Sequence, residues 1–375
     1  MTNLNRRRWL QKSLLGAASA ALPFQYKLNV CRWEEANVDY TQEKWMRLNW
    51  NENPFGPPIL AQEAIAQAAG STNHYPDPLI KQLKESLATK FDLKANNFLI
   101  TSGSTEVLCL MGMYAGLNEG EILTPWPSFP TIVMYGSRWG AGSKKVGLTK
   151  DYKIDFNQLK DGISSKTKVI SICNPNNPTS TEVDRNELRS FCRSVSSDIL
   201  ICLDEAYIHF SKDGENGSLV DLVKTQDNIV AVRTFSKAYG LAGMRLGYAI
   251  SHPKNILTLQ SKHTGLDFSI SSLSISAALA VMDDNDFINH CRTQNQKGRS
   301  ILYSSFKKWG VDHADSSTNF IYASSERFDP DIVTKLRDDH ILITKWPDMT
   351  DHIRISIQTP NEMEMFAEKV KKYLV

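Results

Sequence analysis

Short, wholly apolar runs alternate with longer stretches of mixed polarity along most of the chain. The short runs predict strands over 97–101, 121–124, 168–173, 199–203 and 229–233. The longer ones, with apolar residues at helical spacing, predict helices over 105–117 and 187–195. Continuous Val/Ile/Leu runs suit strands covered on both faces, and strands alternating with helices make a parallel α/β sheet. From about residue 271 the pattern changes. Helices over 271–282 and 287–309 come first. Strands over 319–322, 340–344 and 352–356 follow, with a helix over 331–338 between the first two and a last helix over 361–373. That half reads as a smaller α+β domain.

The chain has 375 residues with 43 basic and 41 acidic ones, a formal net charge of +2. So balanced a charge gives no reason to expect a nucleic-acid surface. None of the six cysteines forms a CxxC pair, so neither a metal site nor a redox motif is expected. Cys173 and Cys202 lie in strand-like runs and read as small core residues. The N-terminus, Arg6-Arg7-Arg8-Trp9-Leu10, precedes a weakly apolar stretch and Ala18-Ser19-Ala20. This resembles a twin-arginine export signal over residues 1–22, and it predicts a periplasmic enzyme. A plain basic terminus on a cytoplasmic protein is the other reading. The stretch is too short for a lasting membrane anchor. Residues 23–70 read as an arm with part of the smaller domain, 71–270 as the large domain and 271–375 as the rest of the small one.

In α/β sheets, ligands bind beyond the carboxyl ends of the strands, so the polar residues there carry the candidate chemistry. The first strand leads into Ser102-Gly103-Ser104-Thr105-Glu106, a turn opening a helix and a natural phosphate site. Cys173 is followed by Asn174-Pro175-Asn176-Asn177-Pro178-Thr179, a rigid loop that is either a plain turn or a fixed amide aimed at a ligand. Leu203 is followed by Asp204-Glu205-Ala206-Tyr207; an acid ending a buried strand is costly unless something pairs with it. Val232 is followed by Arg233-Thr234-Phe235-Ser236-Lys237, with Arg245 eight positions beyond the lysine.

Together these segments resemble the fold-type-I aminotransferases that use pyridoxal phosphate, most of all the histidinol-phosphate aminotransferase group. The likeness includes Asn51-Glu52-Asn53-Pro54-Phe55-Gly56-Pro57, Tyr75-Pro76-Asp77 and Ile353-Arg354-Ile355-Ser356-Ile357, and it covers about residues 45–370. It implies a mostly parallel seven-stranded sheet sandwiched by helices, with a smaller domain beside it. It implies that Lys237 holds the cofactor as a Schiff base and moves the substrate proton. Asp204 would pair with the ring nitrogen, and Asn177 and Tyr207 with the ring oxygen. Phe129 would stack on the ring where the group usually has Tyr. Ser104, Thr105, Thr234, Ser236 and Arg245 would hold the phosphate, with Tyr75 reaching it from the partner of a homodimer. Arg354 would clamp the substrate carboxylate, with Asn53 also on the substrate side.

Two departures bear on the substrate. The group usually has an Arg where this chain has Thr344, followed by Lys345 and Trp346, so the cationic grip on a substrate phosphate is lost or displaced. Ser180 stands where a Gly is usual. The expectation is therefore an aminotransferase with a 2-oxo acid acceptor and another donor, such as an aromatic amino acid, with Phe55 and Trp346 near its apolar group. A decarboxylase of the threonine-phosphate type and a non-catalytic binder on the same scaffold are the alternatives.

Overall fold

The computed structural model describes residues 45–263, 269–346, 349 and 351–375. The proposed export signal and most of the arm lie outside the described residues. In chain order the strands are β1 (Met46–Arg47), β2 (Phe98–Thr101), β3 (Glu121–Pro125), β4 (Gly142–Val146), β5 (Thr167–Cys173), β6 (Leu200–Asp204), β7 (Ile229–Thr234), β8 (Gly247–Ser251), β9 (Phe320–Ser324), β10 (Ile341–Leu342) and β11 (His352–Ser356).

Seven of them form one sheet in the order β2-β8-β7-β6-β5-β3-β4. The pairs β4–β3, β3–β5, β5–β6 and β6–β7 are parallel, and β8 runs antiparallel to both β7 and β2. The central strands are apolar on both faces because each face carries a buried cluster. One includes Leu83, Ile170, Ile201, Leu203 and Ile250, the other Leu108, Met111, Val169, Cys202 and Val232. This is the α/β architecture that the alternating pattern predicts. β4 escaped that pattern because Gly142-Ser143-Lys144-Lys145-Val146 is an exposed edge, where lysines discourage further pairing. β8 begins with the small residue Gly247 and has no long aliphatic run. The helices Ile59–Ala68 and Asp77–Phe91 also went unpredicted.

A separate apolar cluster joins Leu48 to Leu302, Phe306, Ile321, Ile341, Ile353, Ile355 and Phe366. Here β9 and β11 pair antiparallel, with Arg354 opposite Tyr322, while β1 pairs parallel with β10. The strand expected over 340–344 shrinks to Ile341–Leu342, with Thr344 making only an isolated bridge to Arg354. The last helix, Pro360–Val370, starts where the sequence specifies: Thr359 and Glu362 form a capping box and Pro360 occupies the first turn.

Candidate active site

Asp204 ends β6, 5% exposed, between Cys173 and Val232 of the flanking strands. It accepts the Ala206 N–H at 3.1 Å, and no cation forms an ion pair with it among the described residues. Burial pushes its carboxyl up to about 6, against which the Ala206 N–H pulls only weakly. A shift of that size represents about 3 kcal/mol of unfavourable ionisation. A cation brought to this carboxylate would recover much of it.

Lys237 follows β7 in the same layer. Its Nζ donates to Trp50 O at 3.0 Å and lies 5.7 Å from the centre of the Tyr207 ring. Burial, then the positive charges of Arg354 and Arg245, lower its ammonium to about 8. Both effects favour the neutral, nucleophilic amine. The Tyr207 hydroxyl accepts from Asn177 Nδ2 at 3.3 Å and from Asn51 Nδ2 at 3.1 Å, and burial raises its pKa.

Beside Lys237, the helix Ser104–Leu117 points its N-terminus at Arg245. Gly103 precedes that helix at φ +78°, and a Cβ there would collide with the Arg245 guanidinium; a Cβ on Gly247 would collide with Ser104 N. Arg245 Nη1 donates to Ser236 Oγ at 3.3 Å, and Thr234 Oγ1 donates to the same hydroxyl at 2.9 Å. The backbone N–H groups of Ser104 and Thr105 open the helix and have no acceptor within it. Among the described residues no carboxylate pairs with Arg245. Two hydroxyls, a guanidinium and a helix N-terminus thus converge on one small volume, the donor set of a phosphate site.

Arg354 is 4% exposed on β11. Nη1 donates to Asn177 Oδ1 at 2.7 Å, and Nη2 donates to Asn49 O and to Thr344 Oγ1, the latter at 3.1 Å. Nε is buried with no hydrogen-bond partner among the described residues. The guanidinium lies 5.2 Å from the Trp346 ring and 5.4 Å from Phe320. Burial lowers its pKa to about 10. No carboxylate pairs with it among the described residues. A cation so placed is costly until an anion arrives.

The structure therefore brings together Ser104, Thr105, Asn177, Asp204, Tyr207, Thr234, Ser236, Lys237, Arg245 and Arg354. Half-buried Phe129 packs on the cluster under the helix Ser104–Leu117. Tyr75 is 77% exposed. Three of the expected substrate residues make contacts within the chain. Asn53 has its amide committed within the chain, donating to Ala238 O at 2.8 Å and accepting from the Phe55 N–H. Phe55 sits edge-on to His290 at 5.0 Å and lines a small pocket with Asn53, Phe210 and Cys291. Lys345 reaches Ser325 Oγ at 3.4 Å, because neighbouring residues of an extended segment point to opposite sides and Thr344 is the one facing Arg354. Sequence reasoning missed Asn49 and Trp50, whose carbonyl oxygens accept from Arg354 and Lys237. It also missed Ser356, whose Oγ accepts the Asn51 N–H at 2.9 Å and donates to Asn51 Oδ1.

These residues fit pyridoxal phosphate: donors for its phosphate, a neutral-leaning lysine for its carbonyl, and an unpaired buried carboxylate for a cationic ring nitrogen. The comparisons agree. A histidinol-phosphate aminotransferase of Carboxydothermus hydrogenoformans is 30% identical, covering 88% of this chain and 91% of that one. An aromatic amino acid aminotransferase of Mycolicibacterium smegmatis is 32% identical, covering 86% and 88%. The crystal structure of histidinol-phosphate aminotransferase from Sinorhizobium meliloti with pyridoxal-5'-phosphate superposes with a TM-score of 0.78 at 26% identity, covering 87% and 90%. The family profile described as aminotransferase class I and II matches residues 43–370, and the chain belongs to that family.

Proposed function

We propose that this pyridoxal-phosphate aminotransferase takes an aromatic amino acid as donor and a 2-oxo acid as acceptor, gripping the carboxylate of each on Arg354. The observation that carries this reading is the buried guanidinium with an unpartnered Nε, no carboxylate of its own, and Trp346 over its face. A single guanidinium beside a neutral Thr344 suits a monoanionic carboxylate. A phosphate monoester carries nearly two charges, and Lys345, the nearest candidate for a second cation, is turned toward Ser325. The aromatic amino acid aminotransferase of M. smegmatis supports the choice of donor.

When bound, pyridoxal phosphate supplies an electron sink for the charge left on the substrate carbon. Lys237 Nζ would hold it and would carry the proton to and from that carbon, a role served by the neutral amine that its surroundings favour. Asp204 provides the negative charge for a protonated ring nitrogen. Asn177 Nδ2 and the Tyr207 hydroxyl would orient its ring oxygen, and Phe129 would stack on the ring. Ser104 and Thr105 N–H, Thr234, Ser236 and Arg245 hold the phosphate. In this reading Tyr75 serves the site of a second copy of the chain. Its exposure, together with that of Ile59 and Leu60, supports a homodimer. A division into domains at residues 70/71 and 270/271 belongs to the same reading, supported by the separate cluster around Phe306 and Ile353. So does export by the twin-arginine route to the periplasm, which cell fractionation with and without Arg6 and Arg7 would test.

The test of the donor adds amino acids one at a time to the purified holoenzyme. Phenylalanine, tyrosine or tryptophan is expected to remove the absorbance band of the lysine-linked cofactor and restore it on adding a 2-oxo acid. Efficient turnover of histidinol phosphate, with the aromatic amino acids inert, would overturn the donor assignment.

A further inference from the structure

The third residue of the helix that faces the phosphate donors is an acid. Glu106 Oε2 accepts the Ser102 N–H at 2.7 Å and so braces the Ser102-Gly103 turn against which Arg245 packs. The brace has an electrostatic cost. A carboxylate in the first turn draws on the same positive helix end that a phosphate uses, and it repels that phosphate.

One side chain answers it. His263, on the turn after the helix Pro253–Gln260, places Nε2 3.3 Å from Glu106 Oε1. Its side chain is wholly buried, and neither ring nitrogen makes an aligned hydrogen bond among the described residues. A buried imidazole without such bonds is held at a net loss unless its charge interaction matters. Two other polar groups belong to this neighbourhood. The Cys109 thiol is pushed up to about 11 by burial and by Glu106, and Arg138 acts on Cys109. Burial opposes ionisation of Glu106, but His263 and the Ser102 N–H outweigh it and hold the carboxyl below its usual range.

We propose that His263 is a positioning residue for the cofactor phosphate. Its imidazole, set against Glu106 Oε1, offsets the carboxylate's charge, so Glu106 can fix the Ser102-Gly103 turn with less repulsion of the phosphate. The inference rests on assigning the phosphate to Ser104, Thr105, Ser236 and Arg245.

The test is a thermodynamic cycle on cofactor affinity rather than activity. Apoprotein of the wild type, His263→Ala, Glu106→Gln and the double variant is titrated with pyridoxal phosphate at fixed ionic strength, and the absorbance of the lysine-linked form is followed. His263→Ala is expected to weaken binding about tenfold when Glu106 is present. In the Glu106→Gln background the same change is expected to cost less than about twofold, because no carboxylate remains to neutralise. Equal losses in both backgrounds would make His263 a packing residue and overturn the proposal, as would no loss in either. His263→Gln, which keeps a donor without a titratable ring, takes the place of the alanine variant if thermal melting shows that the latter is unfolded. Wild-type apoprotein that takes up no pyridoxal phosphate would refute the phosphate-site assignment itself, a separate failure.

Discussion

The cofactor side of the site hangs on successive strand ends of one sheet, whereas the substrate side is gathered from residues 49–53, 344 and 352–356. On the first side Asn177 and Lys237 follow β5 and β7 and Asp204 ends β6, neighbours in a parallel array held by two buried clusters. On the second, Arg354 takes its orientation from Asn177 Oδ1, a carbonyl at Asn49 and a hydroxyl at Thr344. A rigid scaffold fixes chemistry common to many substrates. A composite of distant segments can change donor preference without disturbing it.

The strongest way to break this division is Lys237→Ala. It removes both the cofactor's attachment and the proton carrier, so transamination should fall by at least about 10³-fold while the melting temperature barely moves. Activity near the wild-type level would refute the cofactor side altogether. Arg354→Gln should act mainly on the substrate side. It forfeits charge-assisted bonds worth about 1.5–3 kcal/mol, so KM for the donor should rise about 10- to 100-fold while cofactor affinity holds. A matched loss of cofactor binding would mean that the two sides are not separable.

The pH dependence sharpens the cofactor side. Lys237 has its folded-state pKa lowered from 10.5 to about 8, so the reactive neutral amine grows as pH rises and is nearly complete above that value. Cofactor uptake by apoprotein should therefore accelerate about tenfold per pH unit below about 8 and level off above it. A profile still climbing to pH 10 would contradict the lowered value. Tyr207→Phe removes the hydroxyl that accepts from Asn51 and Asn177, one of the links between the two sides. Losing a hydrogen bond of about 1 kcal/mol predicts a fall in kcat/KM of about fivefold. The smallest effect is expected at Ser180, which lies at φ +61° with its hydroxyl buried and unpartnered. Ser180→Gly should stabilise the fold by about 1 kcal/mol in denaturant titration.

Sequence legibility divides along the same line. The cofactor side could be read because a buried strand announces itself by its apolar run, and the polar residue ending it is then conspicuous. Asp204 and Lys237 were found that way. The substrate side was read at Arg354, through motif likeness, and at Trp346, which lies beside its guanidinium. Lys345 was expected on the substrate side but reaches Ser325, because the direction of a side chain depends on register, and β10 stops at Leu342. Phe55 and Asn53 lay in a recognisable motif, yet they serve its packing, against His290 and Ala238 O. β4 was missed because its polar, exposed residues give no strand pattern.

Asn49 and Trp50 touch Arg354 and Lys237 through main-chain oxygen atoms. Replacing either residue would leave that oxygen in place, so side-chain substitution does not probe these two contacts. Removing one residue between Arg47, held against β10, and Asn51, held by Ser356, would shift both carbonyls at once. What the enzyme must inherit here is the length of the segment, not its spelling.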